Sequence, residues 1–369
     1  MEEQLQKILS IPETELGKKS KIPLRIVGGN SMSKLRVGIV GCGRISIMYK
    51  LAFQNLSDRI EVVIAVDKDL EKAKAFAANF GCRYADSFQE ALKEKPYVLH
   101  LCTPHFLHAS MAIEAVKAGI HVLTEKPMAI SLEDADRMIA AEKETGKCLG
   151  VIFQSRYEAG VQEMKRLIEA GELGKLTGAW PTMNWSRPAA YYQSDWKGKW
   201  KGEGGGVLID QAIHTIDMVQ WLVNSRVKSV HGHIDHRALQ NIEVEDVADA
   251  IIEFENGVRY SLFACNYNSY NAPIEFEISG EKGRVRLIGD RAHIFLDGKE
   301  EYVVKPAPAV NFEGENYWGN FHQLQLEAFY ESVRKGETPE IDAVEGRAAL
   351  EIVLSVYKSS FENRKITLR

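Results

Sequence analysis

The stretch Leu35-Arg36-Val37-Gly38-Ile39-Val40-Gly41-Cys42-Gly43-Arg44-Ile45-Ser46 decides how this chain folds. Leu35–Val40 is rich in apolar and β-branched residues and reads as a short buried strand. After the glycines, Ile45, Tyr49, Ala52, Phe53 and Leu56 recur at helical spacing and mark one buried face. Strand, glycine turn and helix together open a dinucleotide-binding unit. Gly41 permits the tight turn, Gly43 lets the backbone approach a pyrophosphate, and Ser46 is small enough for close helix–strand packing. Arg44 and Ile45 complete the loop. The helix N-terminus offers free N–H groups and a positive dipole end to the phosphates. Asp67 ends the next strand, Ile60–Val66, where its carboxylate would accept bonds from ribose hydroxyls and repel a 2′-phosphate. NAD(H) is therefore expected in preference to NADP(H).

The alternation continues outward. A helix across 70–80 stops at Gly81, and Ser87-Phe88-Gln89-Glu90 is a capping box that opens another helix. Val98–Cys102, His121–Thr124 and Leu149–Phe153 are further strands, with helices ending near Gly119 and Gly146 between them. This order predicts a doubly wound, mostly parallel sheet with helices on both faces over residues 34–153. From about residue 155 the rhythm changes. A helix near 159–170, a strand region at 173–186 and a helix near 207–223 precede segments joined by Asn256-Gly257, Glu281-Lys282-Gly283 and Asp297-Gly298. Such pairs tolerate positive φ and make hairpins. Residues 154–369 are thus expected to form a second α/β domain, with a largely antiparallel open sheet and helices near 319–335 and 344–361.

Composition sets the limits. The chain has 369 residues, 45% hydrophobic and 26% charged, with a net charge of −5. That is an ordinary globular protein, long enough for two cores and without the basic excess that nucleic-acid or membrane-surface binding requires. No apolar run reaches the roughly 20 residues of a membrane span. Cys42, Cys82, Cys102, Cys148 and Cys265 are dispersed and odd in number, which fits a reducing, cytoplasmic compartment and no zinc site. Residues 1–33 open with Glu2-Glu3 and lack a signal-peptide core, so they read as a leader or arm without fixed order.

Further motifs resemble one family, the glucose–fructose oxidoreductase, inositol dehydrogenase and MocA-type (Gfo/Idh/MocA) oxidoreductases. Thr103-Pro104-His105-Phe106-Leu107-His108-Ala109 looks like its T-P-N-x-x-H-A loop, with His105 in place of Asn. Glu125-Lys126-Pro127 is similar to its E-K-P signature, and Gln154-Ser155-Arg156 to its Q-N-R. Gly204-Gly205-Gly206, Asp210, His214 and Asp217 resemble its G-G-G…D-x-x-x-H-x-x-D segment. The resemblance implies a Rossmann domain followed by an open-sheet domain that often joins subunits into dimers or tetramers. It implies secondary alcohol and ketone chemistry on sugars, inositols or nucleotide sugars. It places Thr103, Pro104, His108, Glu125 and Lys126 beside the cofactor, and makes Lys126, Asp210 and His214 catalytic. It also implies a cis Lys126–Pro127 bond.

The chemistry is consistent with those residues. Oxidising a secondary alcohol needs a base for the hydroxyl proton, and histidine is poised near neutral pH. His214 stands four residues after Asp210, on the same helix face. Asp210 would either orient His214 or bind a neighbouring substrate hydroxyl. Lys126, at the carboxyl edge of the sheet, would stabilise an alkoxide. Tyr191, Tyr192 and Trp196 would stack on a sugar ring or pack between domains. Arg156 would read a substrate phosphate or carboxylate, whereas Arg187 reads as a surface residue. Trp318 and His322 would approach the same site. His231, His233 and His236 read as a solvated strand face rather than metal ligands. The expected function is an NAD-dependent dehydrogenase of a cyclic polyol, sugar or sugar derivative. The alternatives are a nucleotide-sugar 3-dehydrogenase and, from another class, a non-enzymatic NAD-binding regulator on the same fold.

Overall fold

The computed structural model describes residues 33–305 and 321–368. The expected leader, up to residue 32, and Trp318 lie outside the described residues. Residues 34–369 fall in one compact unit.

The first sheet is parallel and six-stranded, in the order β3-β2-β1-β4-β5-β6. Its strands are β1 (Leu35–Val40), β2 (Ile60–Val66), β3 (Arg83–Ala85), β4 (Val98–Leu101), β5 (His121–Thr124) and β6 (Leu149–Val151). The helices between them are α1 (Ser46–Asn55), α2 (Leu70–Ala77), α3 (Phe88–Glu94), α4 (His105–Lys117) and α5 (Leu132–Thr145). Their ends follow side-chain chemistry. Ser87 and Ser131 cap α3 and α5 by accepting bonds from the backbone N–H groups of Gln89 and Asp134. Gly146 terminates α5 in the left-handed conformation. β1 and β4 are adjacent while β2 and β3 lie beyond β1, so the strand order reverses between β1 and β4. That switch point opens the crevice where doubly wound folds bind ligands.

The second sheet has nine strands. The long β7 (Leu176–Asn184) runs antiparallel to β11 (Glu275–Gly280) but parallel to β10 (Arg259–Cys265). The sheet is therefore mixed, though otherwise antiparallel as expected. The three turn pairs close hairpins between β9 (Val247–Phe254) and β10, between β11 and β12 (Gly283–Ile288), and between β13 (Arg291–Leu296) and β14 (Tyr302–Val304). β8 (Val227–Asp235) exposes His231 and His233 at alternate positions, with His236 exposed just beyond. One face of the sheet packs on α6 (Ala159–Glu169) and on α8 (Ile213–Val223), the next long helix after the short α7 (Trp200–Glu203).

Helix α9 (Phe321–Lys335) follows the second sheet in sequence yet packs on the first. Its apolar side, Leu326, Phe329, Tyr330 and Val333, shares one cluster with Tyr49, Phe53 and Leu123. Tyr330 Oη meets His100 Nε2 at 2.8 Å, and Asn55 donates to Gln323. The last long helix, α10 (Ala343–Glu362), covers β8 and touches α5, tying the two halves together. The short β15 (Ile366–Thr367) then pairs with β8.

Candidate active site

A cleft of about 1220 Å³ opens at the carboxyl ends of β1, β4 and β5. Gly41, Gly43, Arg44, Ile45, Asp67, Thr103, Pro104, His108, Glu125 and Lys126 line it from the first sheet. Trp196, Asp210 and His214 line it from the other side.

The glycine loop fits a dinucleotide. Gly41 has φ +95°, and a Cβ there would stand 2.4 Å from the Cys102 carbonyl, so only glycine fits between β1 and β4. Nothing lies within 4 Å of where a Gly43 Cβ would be, which leaves open space for a pyrophosphate. Ser46 Oγ donates to the Gly43 carbonyl at 2.7 Å, bracing the turn. Asp67 accepts from Cys42 N–H at 2.8 Å and Asp69 N–H at 2.9 Å, which fixes its carboxylate at the cleft edge. Thr103 Oγ1 is buried beside the cleft with no protein partner, as a hydroxyl awaiting a ligand would be. His108 differs: its ring nitrogens lie 2.7 Å from the Pro127 and Thr103 carbonyls. It braces the loop with both nitrogens engaged by the protein.

Across the cleft, Gly204–Gly206 leads into one π-helical turn, Leu208–Ala212, and then α8. π turns widen a helix locally and recur at functional sites. Glu245, buried, accepts from Gly206 N–H at 2.7 Å, Leu208 N–H at 3.0 Å and Tyr357 Oη at 2.8 Å. It caps the turn that carries Asp210. A Cβ on Gly206 would overlap the Glu245 carbonyl at 1.9 Å.

Asp210 is the hub. Its Oδ2 accepts from Tyr191 Oη and Gln211 Nε2 at 2.6 Å each and from Lys197 Nζ at 2.8 Å. Lys126 Nζ lies 2.5 Å from the Asp210 main-chain carbonyl and 3.2 Å from Oδ1. Burial opposes its charge, but Lys197 and Lys126 outweigh burial and hold the carboxyl well below its usual range. None of these bonds reaches His214, so Asp210 orients Lys126 and not the histidine. The Lys126–Pro127 bond is cis.

His214 lines the cleft with its ring edge against Phe153, and its Nδ1 is buried without a protein partner. Burial first, and the Lys126 cation second, push its pKa down to about 3. The imidazole is therefore neutral at working pH, and in this cleft it is a weaker base than the near-neutral histidine expected from the sequence. Glu125, buried behind Lys126, accepts from Tyr49 Oη at 3.0 Å and lies 3.5 Å from His322 Nε2. His322, on α9, thus joins the cleft as expected.

Several expected contacts are corrected. Arg156 does not line the cleft. Its guanidinium is 1% exposed and forks onto Asp217 at 2.6 and 2.8 Å, with Glu345 at 2.7 Å. Asp217, close after His214 on α8, draws it inward. Tyr192 turns away to accept from Asn266 Nδ2 at 2.8 Å, and Tyr191 is the cleft tyrosine. Arg187 is not a surface residue; 5% exposed, it lines the cleft and packs over Trp185 and Tyr191. Trp196 lies against His105, 4.9 Å between ring centroids. Lys197, Glu203 and Gln211 escaped the sequence reading. Lys197 and Glu203 meet each other, and Lys197 and Gln211 both meet Asp210; no local pattern announces these pairings.

The chain has known relatives. The family model for the oxidoreductase family, NAD-binding Rossmann fold, matches residues 35–153, and the GFO/IDH/MocA C-terminal domain matches 161–286. The WlbA dehydrogenase from Bordetella pertussis, crystallised with NADH and UDP-GlcNAcA, is 32% identical with a TM-score of 0.81, over 91% of this chain and 99% of that one. The chain belongs to the Gfo/Idh/MocA oxidoreductase family. This Gfo/Idh/MocA member is also 26% identical to the scyllo-inositol 2-dehydrogenase (NAD(+)) of Bacillus subtilis, over 89% of the chain and 95% of that protein. It is 32% identical to 1-carboxy-3-chloro-3,4-dihydroxycyclohexa-1,5-diene dehydrogenase of Comamonas testosteroni, over 64% of this chain and only 59% of that protein. It is an oxidoreductase, and its Rossmann domain binds NAD. Among the described residues, no helix is long and apolar enough to cross a membrane.

Proposed function

We propose that this oxidoreductase interconverts a secondary alcohol and a ketone on a cyclic polyol, a sugar or a sugar derivative. The observation that carries this reading is the convergence of Lys126, Asp210 and His214 on the cleft that holds the glycine loop. Bound NAD would supply the hydride acceptor, with Gly43, Asp67 and Thr103 holding it. Neutral His214 takes the hydroxyl proton in oxidation and returns one in reduction. Lys126 places its ammonium beside the oxygen that gains charge, where a desolvated cation acts strongly. Asp210 fixes Lys126 by two contacts, and Tyr191 and Trp196 line the cleft beside them.

The test is a panel of inositols, hexoses and nucleotide sugars with NAD, read at the NADH absorbance band. Turnover of a polyol or free sugar supports the reading. Turnover of nucleotide sugars alone favours the 3-dehydrogenase alternative, which Arg187, Lys199 and Lys201 on the cleft wall also support. No turnover with any compound would favour the non-enzymatic regulator.

Self-association through the nine-stranded sheet belongs to the same proposal. Its outer face carries Ile251 at 42% and Phe263 at 40% exposure on adjacent strands. Light scattering should show a dimer or tetramer that Ile251→Asp with Phe263→Asp dissociates. We place the enzyme in the cytoplasm, in keeping with five free cysteines.

A further inference from the structure

We infer that Lys197 is a positioning residue of this active site: it fixes the Asp210 carboxylate in the orientation that anchors Lys126. The inference rests on the dehydrogenase reading above and extends it to a residue outside the Lys126–Asp210–His214 set.

Lys197 lies on the loop between Tyr192 and α7. Its side chain is 15% exposed, and its ammonium bridges two buried carboxylates, Glu203 Oε1 at 2.9 Å and Asp210 Oδ2 at 2.8 Å. The aromatic rings of Tyr191 and Trp196 flank it, with centroids 4.5 and 4.6 Å from Nζ. A lysine so enclosed has little rotamer freedom left and acts as a fixed charge. Glu203 is held in turn by Gly198 N–H at 2.5 Å, so the loop is closed on itself.

The consequence falls on Asp210. Three donors saturate Oδ2, and two of them come from the segment before α7: Lys197 from this loop and Tyr191 from the turn that leads into it. Oδ1 is thereby left toward Lys126, with His105 Nε2 at 3.7 Å on its other side. Burial and Asp210 already push the Glu203 carboxyl up; without Lys197, Asp210 and Glu203 would be two buried acids with no cation between them. Such a pair relaxes by taking up a proton or by moving apart. Either response frees the carboxylate to rotate and moves Lys126 with it. The ionisable groups facing Asp210 are Lys126 after β5, His105 at the start of α4, Tyr191, Tyr192, Lys197 and Glu203, with His214 on its own helix. Lys197 and Lys126 are the cations that keep its pKa depressed. Removing Lys197 must move the Asp210 titration to higher pH.

The experiment compares Lys197→Met and Lys197→Arg in the full chain. Two measurements are made: NADH-linked initial rates with scyllo-inositol, glucose and UDP-GlcNAcA across pH, and the 13C-carboxyl NMR titration of Asp210, assigned with Asp210→Asn. In Lys197→Met we expect kcat per NADH-binding site to fall about 100-fold, the cost of a misplacement near 1 Å. NADH affinity should hold, and both the acid limb of kcat and the Asp210 resonance should shift to higher pH. Lys197→Arg should restore most of kcat and the original titration. An unchanged Asp210 titration in Lys197→Met overturns the inference, as does equal loss in both variants with nothing but a lower melting temperature. The NMR arm needs no substrate. A shifted titration without turnover of any compound would therefore strike the dehydrogenase reading and leave the Lys197–Asp210 link standing.

Discussion

Lys126 touches Asp210 at two points, its main-chain carbonyl and its carboxylate. A residue held at both backbone and side chain of another helix turn is fixed in direction. Lys126→Met should therefore lower kcat by about 10²–10³-fold, the usual loss when one group stabilising a developing oxyanion is removed. His214→Ala should cost about 10²–10⁴-fold, the range for a general acid or base. NADH affinity, measured by fluorescence, should barely move in either variant. Full turnover in one of them would remove that residue from the mechanism.

The cradle was legible because its signals are local. Leu35–Val40 and Ile60–Val66 have the bounds their composition indicates, and Gly41 is demanded by the neighbouring Cys102 carbonyl. β3 escaped because its three residues are partly exposed and carry no alternation. The π turn escaped because Leu208, Ile209, Ala212 and Ile213 are all buried, so no polar face marks the helix period. Arg156 misled for a related reason. Its motif position suggested a ligand contact, whereas Asp217 and Glu345, which claim it, lie far along the chain. Lys197 shows the same limit from the other side, since Asp210 reaches it only after folding.

Asp67 fixes the shape of the glycine loop, and it is expected to set cofactor choice as well. It accepts from Cys42 and Asp69 N–H groups while facing the cleft, and Lys68 and Lys72 line the cleft beside it. Asp67→Ala should weaken NADH binding about 10–100-fold, as expected for charge-assisted bonds worth about 1.5–3 kcal/mol. The two lysines should then let NADPH bind comparably. Fluorescence titration with both cofactors decides it, and an undiminished preference for NADH would show that Asp67 is not the discriminator.

Arg156 is expected to matter for stability and not for substrate. Arg156→Met leaves Asp217 buried without its cation, at a cost of about 3–5 kcal/mol. Chemical denaturation should show that loss. Adding Asp217→Asn should recover much of it, because the stranded charge is then gone. KM in the surviving folded enzyme should be unaltered. A raised KM with unchanged stability would return Arg156 to the substrate site.

Glu158 should make the fold less stable in alkali. It is 6% exposed, and its Oε1 has no protein partner. Burial, with a smaller push from Asp290, raises its carboxyl pKa from 4.5 to about 8. The folded chain therefore holds this proton more tightly than the unfolded one. The stabilisation is complete below pH 4.5 and is lost as pH rises through about 8. Glu158→Gln keeps the neutral shape at every pH. It should match the wild type near pH 5 and exceed it at pH 9 by a margin on the order of a few kcal/mol. Glu142 and Glu245, both pushed up to about 7 by burial, slope the same way in both proteins, so the difference isolates Glu158. Melting curves from pH 5 to about 9 would measure it. Parallel curves for the two proteins would mean that Glu158 releases its proton as readily folded as unfolded.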